Sequence, residues 1–303
     1  MSAAEFPARP IRLVVPYPAG GPTDATARAI VPKLAAALGQ SVIVDNRGGA
    51  GSIVGTDIVA KAAPDGYTLL LFTTANAINA SLMSNLPYDM QKDFAMITML
   101  AVLTSIVVVH PSLPVQSIND LVSLARAKPG QLSYASAGHG TPMHLAGELF
   151  KSMAGINIAH IPYKGSAPAI VELISGQVQL SLIGASPVLL SHIKGGRLRA
   201  LAVTNAKRSA LLPELPTMNE AGLRGYESEG WHALGAPART PKAVVDRIYR
   251  EVEVILGSPD TKAYLLSNAA EPVGMPPDQF AAKLKDEIAK WERVVKAANM
   301  KVD

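Results

Sequence analysis

The sequence predicts an α/β protein of two similar lobes, each a mainly parallel sheet flanked by helices. Three observations predict it. Short, continuously apolar runs alternate with helical stretches, the pattern of strands covered on both faces by crossover helices. That alternation restarts after Leu86–Phe94, and a third section from about residue 226 adds one extended run and two long helical stretches. The chain of 303 residues is 49% hydrophobic, which suits two domains with packed cores. The expected division is a discontinuous first lobe, residues 1–100 plus 226–303, with residues 101–225 inserted as the second.

In order, Ile11–Tyr17 reads as a buried strand, and a helix follows from about Thr23 to Leu38, with Gly39 just past its end. Pro32 inside that helix predicts a kink or break. Ser41–Asn46 is the next strand, Arg47–Ala63 a glycine-rich turn entering a helix, and Tyr67–Thr74 a third strand. In the second lobe Ser105–Pro111 is a strand. A helix after it has Ser117 as N-cap and Asp120 at the capping-box position, where Glu or Gln is usual. Gln131–Ser136 is a strand. A loop then enters a helix with Thr141 as N-cap and Pro142 at its first position. The alternation continues to about Thr204. Further on, Gly230–Ala238 is extended, and a helix is capped by Thr240 with Pro241 first. In the last helix Phe280, Leu284, Ile288, Trp291 and Val295 share one face.

Composition narrows function. With no cysteine, disulfides, thiolate metal sites and a cysteine nucleophile are excluded. The net charge of +4 comes without a Lys/Arg run and with 5% aromatics, so no nucleic-acid partner is expected. No window reaches the roughly 18 consecutive apolar residues of a membrane helix. The first ten residues have no apolar core of the kind a secretory leader needs, so no intact signal peptide is expected in this sequence.

Each chemical motif has a blander reading beside it. Gly49, Gly51 and Gly55 miss the dinucleotide spacing by one residue, and the next strand ends in Thr73 and Thr74 where an acid is wanted; a structural turn fits better. No phosphate-binding P-loop and no G-x-S-x-G elbow occur. Ser136 with His144 is the alternative, a hydrolytic pair in an α/β enzyme. Of the six histidines, His139 and His144 are five apart, which is not the i, i+4 spacing of a helical metal pair, so no metal is expected.

What remains is a repeated device. Tyr17–Asp24 and Ser136–Pro142 each join a strand to a helix through glycines, one in each lobe. A helix N-terminus offers unpaired N–H groups and the positive end of the dipole, and glycine lets a ligand approach that backbone. One such loop is a tight turn. Two suit a cleft for a small acidic molecule.

These residues resemble a known family. The blocks YPAGGPTDATAR, VDNRGGAGSIVGTDIVAKAAPDGYTLL, LPYDMQKDF, LSYASAGHGTPMHLAGELF and HIPYKGSAPAIVELISGQV occur in order along nearly the whole chain. They are similar to those of the Bug-type substrate-binding receptors of tripartite tricarboxylate transporters. The resemblance implies the type II two-lobe periplasmic binding-protein fold and no catalysis. It also implies no cofactor, and a monomer that carries a small carboxylate from an interlobe cleft to a membrane permease.

Its first-lobe carboxylate loop falls on Tyr17, Pro18, Ala19, Gly20, Thr23 and Asp24, with Thr74 and Asn76 after the third strand. Its second-lobe loop falls on Ser136, Ala137, Gly138, Thr141 and His144, and its following turn on Pro162, Tyr163 and Lys164. Many relatives carry Asp where this chain has Ile183, followed by Gly184. Ile183 cannot pair with an ammonium, so the resemblance with this departure implies a ligand without an amino group, a dicarboxylate or an aromatic carboxylate.

Overall fold

The computed structural model describes residues 6–300; part of the segment read above for a leader, residues 1–5, lies outside them. The first elements are β1 (Ile11–Val15), α1 (Pro22–Leu38), β2 (Val42–Asn46), α2 (Ile53–Ala60), β3 (Thr68–Thr73), α3 (Thr74–Leu82) and β4 (Phe94–Leu103). Next come β5 (Ser105–Val109), α4 (Ile118–Ala127), β6 (Ser133–Ser136), α5 (Pro142–Ala154), β7 (Ala159–Pro162), α6 (Ser166–Ile174), β8 (Leu180–Gly184), α7 (Pro187–Lys194) and β9 (Arg199–Val203). The last are β10 (Gly230–Pro237), α8 (Lys242–Gly257), α9 (Pro259–Ser267), β11 (Ala270–Met275) and α10 (Pro277–Ala297).

Two compact units result. The first holds the chain up to Val102 and Trp231–Lys290; the second holds Leu103–Gly230 and the residues from Trp291 on. Residues 226–230 and those from Trp291 were expected in the first lobe. α10 has 21 residues, and those from Trp291 on are counted with the second unit.

The first unit carries a sheet ordered β11-β4-β10-β3-β1-β2, the second one ordered β7-β6-β8-β5-β9. Both are mixed, where mainly parallel sheets were expected. β1 runs parallel to β2 and β3, and β6 parallel to β7 and β8, through helical crossovers. β10 is antiparallel to β3, and β5 is antiparallel to β8 and β9. Both reversed strands lie at the unit boundaries, where no βαβ crossover fixes the direction. Alternate residues of β5 enter opposite cores: Val107 and Val109 pack with Leu180, Leu182 and Phe150, and Ile106 and Val108 with Ala135, Ile183 and Leu189. The second sheet is therefore buried on both faces.

Several local readings hold as written. Gly39 ends α1 at φ 68°, Ser117 accepts the N–H of Asp120, and Thr141 caps α5 with Pro142 next. Others differ. α1 runs unbroken through Pro32, whose absent N–H would have bonded the carbonyl of the exposed Arg28. Thr240 does not cap α8; its hydroxyl turns back to the carbonyl of Pro237. Among the described residues no helix is long and apolar enough to cross a membrane.

The glycine-rich turn is structural. Gly49 and Gly51 have φ 140° and 61°. A Cβ on Gly55 would stand 2.7 Å from the Arg47 carbonyl oxygen and 2.8 Å from the Pro16 side chain, so this glycine lets α2 close on the end of β1.

Candidate functional site

In the first unit the loop between β1 and α1 exposes Pro18, Ala19 and Gly20, with Gly20 at φ 86°. α1 starts after Gly21, which supplies no side-chain cap. The first turn thus presents main-chain donors and a positive dipole end beside open backbone. Asp24 shapes this loop from inside. One of its carboxylate oxygens accepts the Gly20 N–H at 2.9 Å and Arg28 Nε at 2.8 Å, and the other accepts Asn46 Nδ2 at 3.1 Å. The Arg28 hydrogen bond, ahead of smaller contributions from Gly20 and Asn46, holds its carboxyl below the usual range. Asn46 Nδ2 also bonds the Tyr17 carbonyl at 3.0 Å, and the Tyr17 hydroxyl stands 3.2 Å from Thr73 Oγ1.

Three of the expected ligand residues, Thr23, Thr74 and Asn76, are buried and bonded within the protein. Asn76 completes a capping box with Thr73 and gives its amide to Thr56 Oγ1 at 2.8 Å. Thr74 Oγ1 accepts the Trp231 N–H at 2.9 Å. Thr23 and Thr26 flank His232, with Thr26 Oγ1 2.8 Å from Nδ1 and Thr23 Oγ1 3.4 Å from Nε2. Burial alone keeps that imidazole neutral, pushed down to about 4.

In the second unit the loop from Ser136 to Thr141 is tied down inwardly. Ser136 is fully buried; its Oγ accepts the Gly138 N–H at 3.1 Å and lies 2.6 Å from His160 Nε2. Thr141 Oγ1 donates to the Gly138 carbonyl at 2.7 Å, and the Gly140 N–H reaches His144 Nδ1 at 3.1 Å. The Pro162–Lys164 turn is joined to it: Tyr163 N–H bonds the Ser136 carbonyl and Gly165 N–H the Ala137 carbonyl. Gly165 precedes α6 without a side-chain cap, a second open helix start. Pro162, Lys164 and Gly184 are exposed and Tyr163 half-buried.

Sequence reasoning missed His139 and His160. His160 stands opposite Tyr134 in the β6–β7 register, and its ring lies 4.9 Å from Tyr134 and 3.7 Å from His144, stacked on both. Burial, then repulsion from neighbouring histidines, pushes His160 down to about 3; burial pushes His144 down to about 4 despite Glu148 4.0 Å away. Glu148 is engaged by the Tyr134 hydroxyl and Lys151, each at 2.7 Å.

Ring nitrogens of His139, His144 and His160 lie within 4.8 Å of one another. A shared metal needs each lone pair aimed at it. The parallel rings of His144 and His160 aim theirs side by side, and Gly140 and Ser136 already occupy one nitrogen of each. The hydrolytic alternative fails on the same facts: Ser136 pairs with His160, not His144, and a base that neutral at such low pH activates a hydroxyl poorly.

Ile183 also departs from expectation. It is 2% exposed, packed with Ile106, Val108, Ala135 and Leu173, so its side chain belongs to the core. In a strand, whichever face a residue joins is set by register, and at Ile183 that face is apolar.

Two α/β units, each with a glycine loop opening a helix N-terminus, match the class of solute-binding proteins to which its relatives assign the chain. The chain belongs to the tripartite tricarboxylate transporter family receptors, whose model matches residues 26–300. It is 38% identical to protein BugT of Bordetella pertussis over 100% of this chain and 93% of that one. The solved periplasmic binding protein BugD superposes with a TM-score of 0.78 at 35% identity, covering 98% of this chain and 99% of that. Rpa4515 of R. palustris, solved with adipate, gives 0.82 at 39% identity over 98% and 99%. The protein is thus a Bug-type receptor and, like these relatives, a binding protein and not an enzyme.

Proposed function

We propose that this receptor works in the periplasm as a monomer. There it captures a small organic carboxylate without an amino group, a dicarboxylate ahead of an aromatic carboxylate, and hands it to a membrane permease of the tripartite type. The observation that carries the carboxylate is the start of α1: open backbone at Pro18–Gly20 leading into a helix with no side-chain cap. The uncapped start of α6 offers a second such place. Adipate in the R. palustris relative supports a dicarboxylate.

The amine-free reading rests on the first-turn Asp24 of α1, paired with Arg28, and on Glu148 of α5, paired with Lys151. An ammonium placed there would lose water and gain no uncommitted anion. Calorimetric titration with adipate, succinate, benzoate, aspartate and glutamate tests this. The best amine-free acid should bind at least about tenfold more tightly than glutamate, about 1.4 kcal/mol. Tighter binding of glutamate than of every amine-free acid overturns it.

A further inference from the structure

We infer that the second unit carries a docking groove for an extended, acidic segment of a partner protein, which pairs as an added strand with β9 and seats an apolar side chain beside it. The inference is independent of which solute the receptor carries, because the groove lies wholly within one unit and away from the solute loops.

β9 is the last strand of its sheet, beyond β5 in the order β7-β6-β8-β5-β9. An edge strand presents part of its main chain outward, where another strand can pair with it. At Val203 the chain itself meets that outer side: the Val203 N–H bonds the Pro216 carbonyl at 2.9 Å, and its carbonyl accepts the Met218 N–H at 3.0 Å. Val203 lies opposite Ile106, so this pair is one whose main-chain groups turn away from β5. Opposed residues of an antiparallel pair alternate between bonded and unbonded. Ala202, opposite Val107, is therefore turned inward, and Ala200, opposite Val108 past the register shift, is turned outward again. At the start of the strand the Leu198 N–H is taken by the His192 carbonyl at 3.3 Å. Between these two satisfied points Ala200 has no hydrogen-bond partner outside the sheet among the described residues.

Beside that open edge lies a cavity of about 290 Å³, lined by Pro111, Ile193, Leu198, Leu212 and Leu215 together with Ala200. Pro111, Ile193, Leu212 and Leu215 are only half-buried there. Arg199 turns its side chain to the opposite face of the sheet, where Nη1 donates to the carbonyls of Val115 at 2.9 Å and Leu113 at 3.3 Å, so the cavity keeps an apolar floor. An open main-chain edge next to an apolar pocket is the pair of features that strand addition uses, the first for affinity and the second for specificity.

The register separates this groove from the solute loops. Gly184 ends β8 opposite Ser105, whereas Arg199 lies opposite Val109, and Val109 opposite Leu180, about 13 Å back along β8. The charge around the groove selects the sign of the partner. Lys194 and Arg197 are exposed in the turn that leads into it, and with Arg199 they make three cations without an acidic partner among the described residues. Glu214 is the acid of the lining. The excess is positive, which attracts an acidic segment and repels a basic one.

The test is a two-dimensional NMR titration of the full chain with three end-blocked peptides: Asp-Val-Leu-Val-Asp, the same peptide N-methylated at its leucine, and Lys-Val-Leu-Val-Lys. The first should shift the amides of Leu198, Ala200 and Leu215 and leave those of Gly20 and Gly138 in place. The N-methylated peptide, which lacks a main-chain donor, and the basic peptide should each bind at least about tenfold more weakly. Combining Lys194→Glu with Arg197→Glu, both at exposed positions, should reverse the order of the acidic and basic peptides while circular dichroism stays native. If the acidic peptide shifts none of the three groove amides, or binds equally well after N-methylation or after charge reversal, the inference is overturned. Shifts at the same amides that grow with protein concentration alone would make a second copy of this chain the occupant and overturn it as well.

Discussion

Gly20 concentrates the chemistry of the first loop in one residue. Its φ of 86° suits glycine, and a Cβ placed there meets nothing within 4 Å. Substitution therefore fills open space beside the start of α1 and strains the backbone without a clash inside the protein. Gly20→Val should weaken the best-binding carboxylate at least about tenfold while circular dichroism stays native. Unchanged affinity in a folded variant would show that the ligand does not use this backbone. Neighbouring Asp24 looks like a ligand contact in sequence, yet Gly20, Arg28 and Asn46 occupy both its oxygens. Its residue type and spacing were legible; its partners were not, because Asn46 arrives from a different strand.

Helices differ in how openly the sequence announces them. α1, α4 and α5 carry glycine, serine or threonine punctuation within a few residues of their ends, so their limits are local information. α3 follows β3 without a break, and β4 is separated from β5 by Thr104 alone; neither boundary has a loop to mark it. α5 also holds a constraint invisible in periodicity. A Cβ on Gly147 would stand 2.2 Å from Tyr134 Cε2, in a ring pinned by Glu148 and stacked on His160. Gly147→Ala would gain helix propensity elsewhere, but here it should destabilise by about 1–3 kcal/mol. Urea unfolding midpoints compare the two proteins directly, and a more stable variant would refute the packing argument.

Across the whole molecule, stability should fall with acid before any carboxylate is titrated. His144, His160 and His232 are held down to about 4, about 3 and about 4, against about 6.5 in an unfolded chain. Each folded value is lower, so the unfolded state takes up more protons once the pH drops below about 6.5. Their contribution is therefore complete above that pH and is lost on the way down to the folded values. Together they set a slope of at most about 4 kcal/mol per pH unit. Asp24 adds a further loss as the pH falls through its own lowered value. Chemical denaturation at pH 7.5, 6 and 5 should show falling midpoints; equal midpoints from 7.5 to 5 would remove the neutral-histidine account.

The sequence by itself determined the alternation of strands and helices, the glycine loops at Tyr17–Asp24 and Ser136–Pro142, and the caps at Ser117 and Thr141. All of these are written in spans of a few residues, where φ limits, capping and hydrophobic period act. Only tertiary structure decided which polar groups remain available. Asn76 spends its amide on Thr56, twenty residues away, and Ser136 meets His160 because β6 and β7 pair in one register. Ile183 joins the core because β8 turns that face toward Ile106 and Val108. His139 stays exposed while the two histidines beside it are stacked and neutralised. A side chain's chemistry is local, but its availability is set by neighbours that the fold brings from far along the chain.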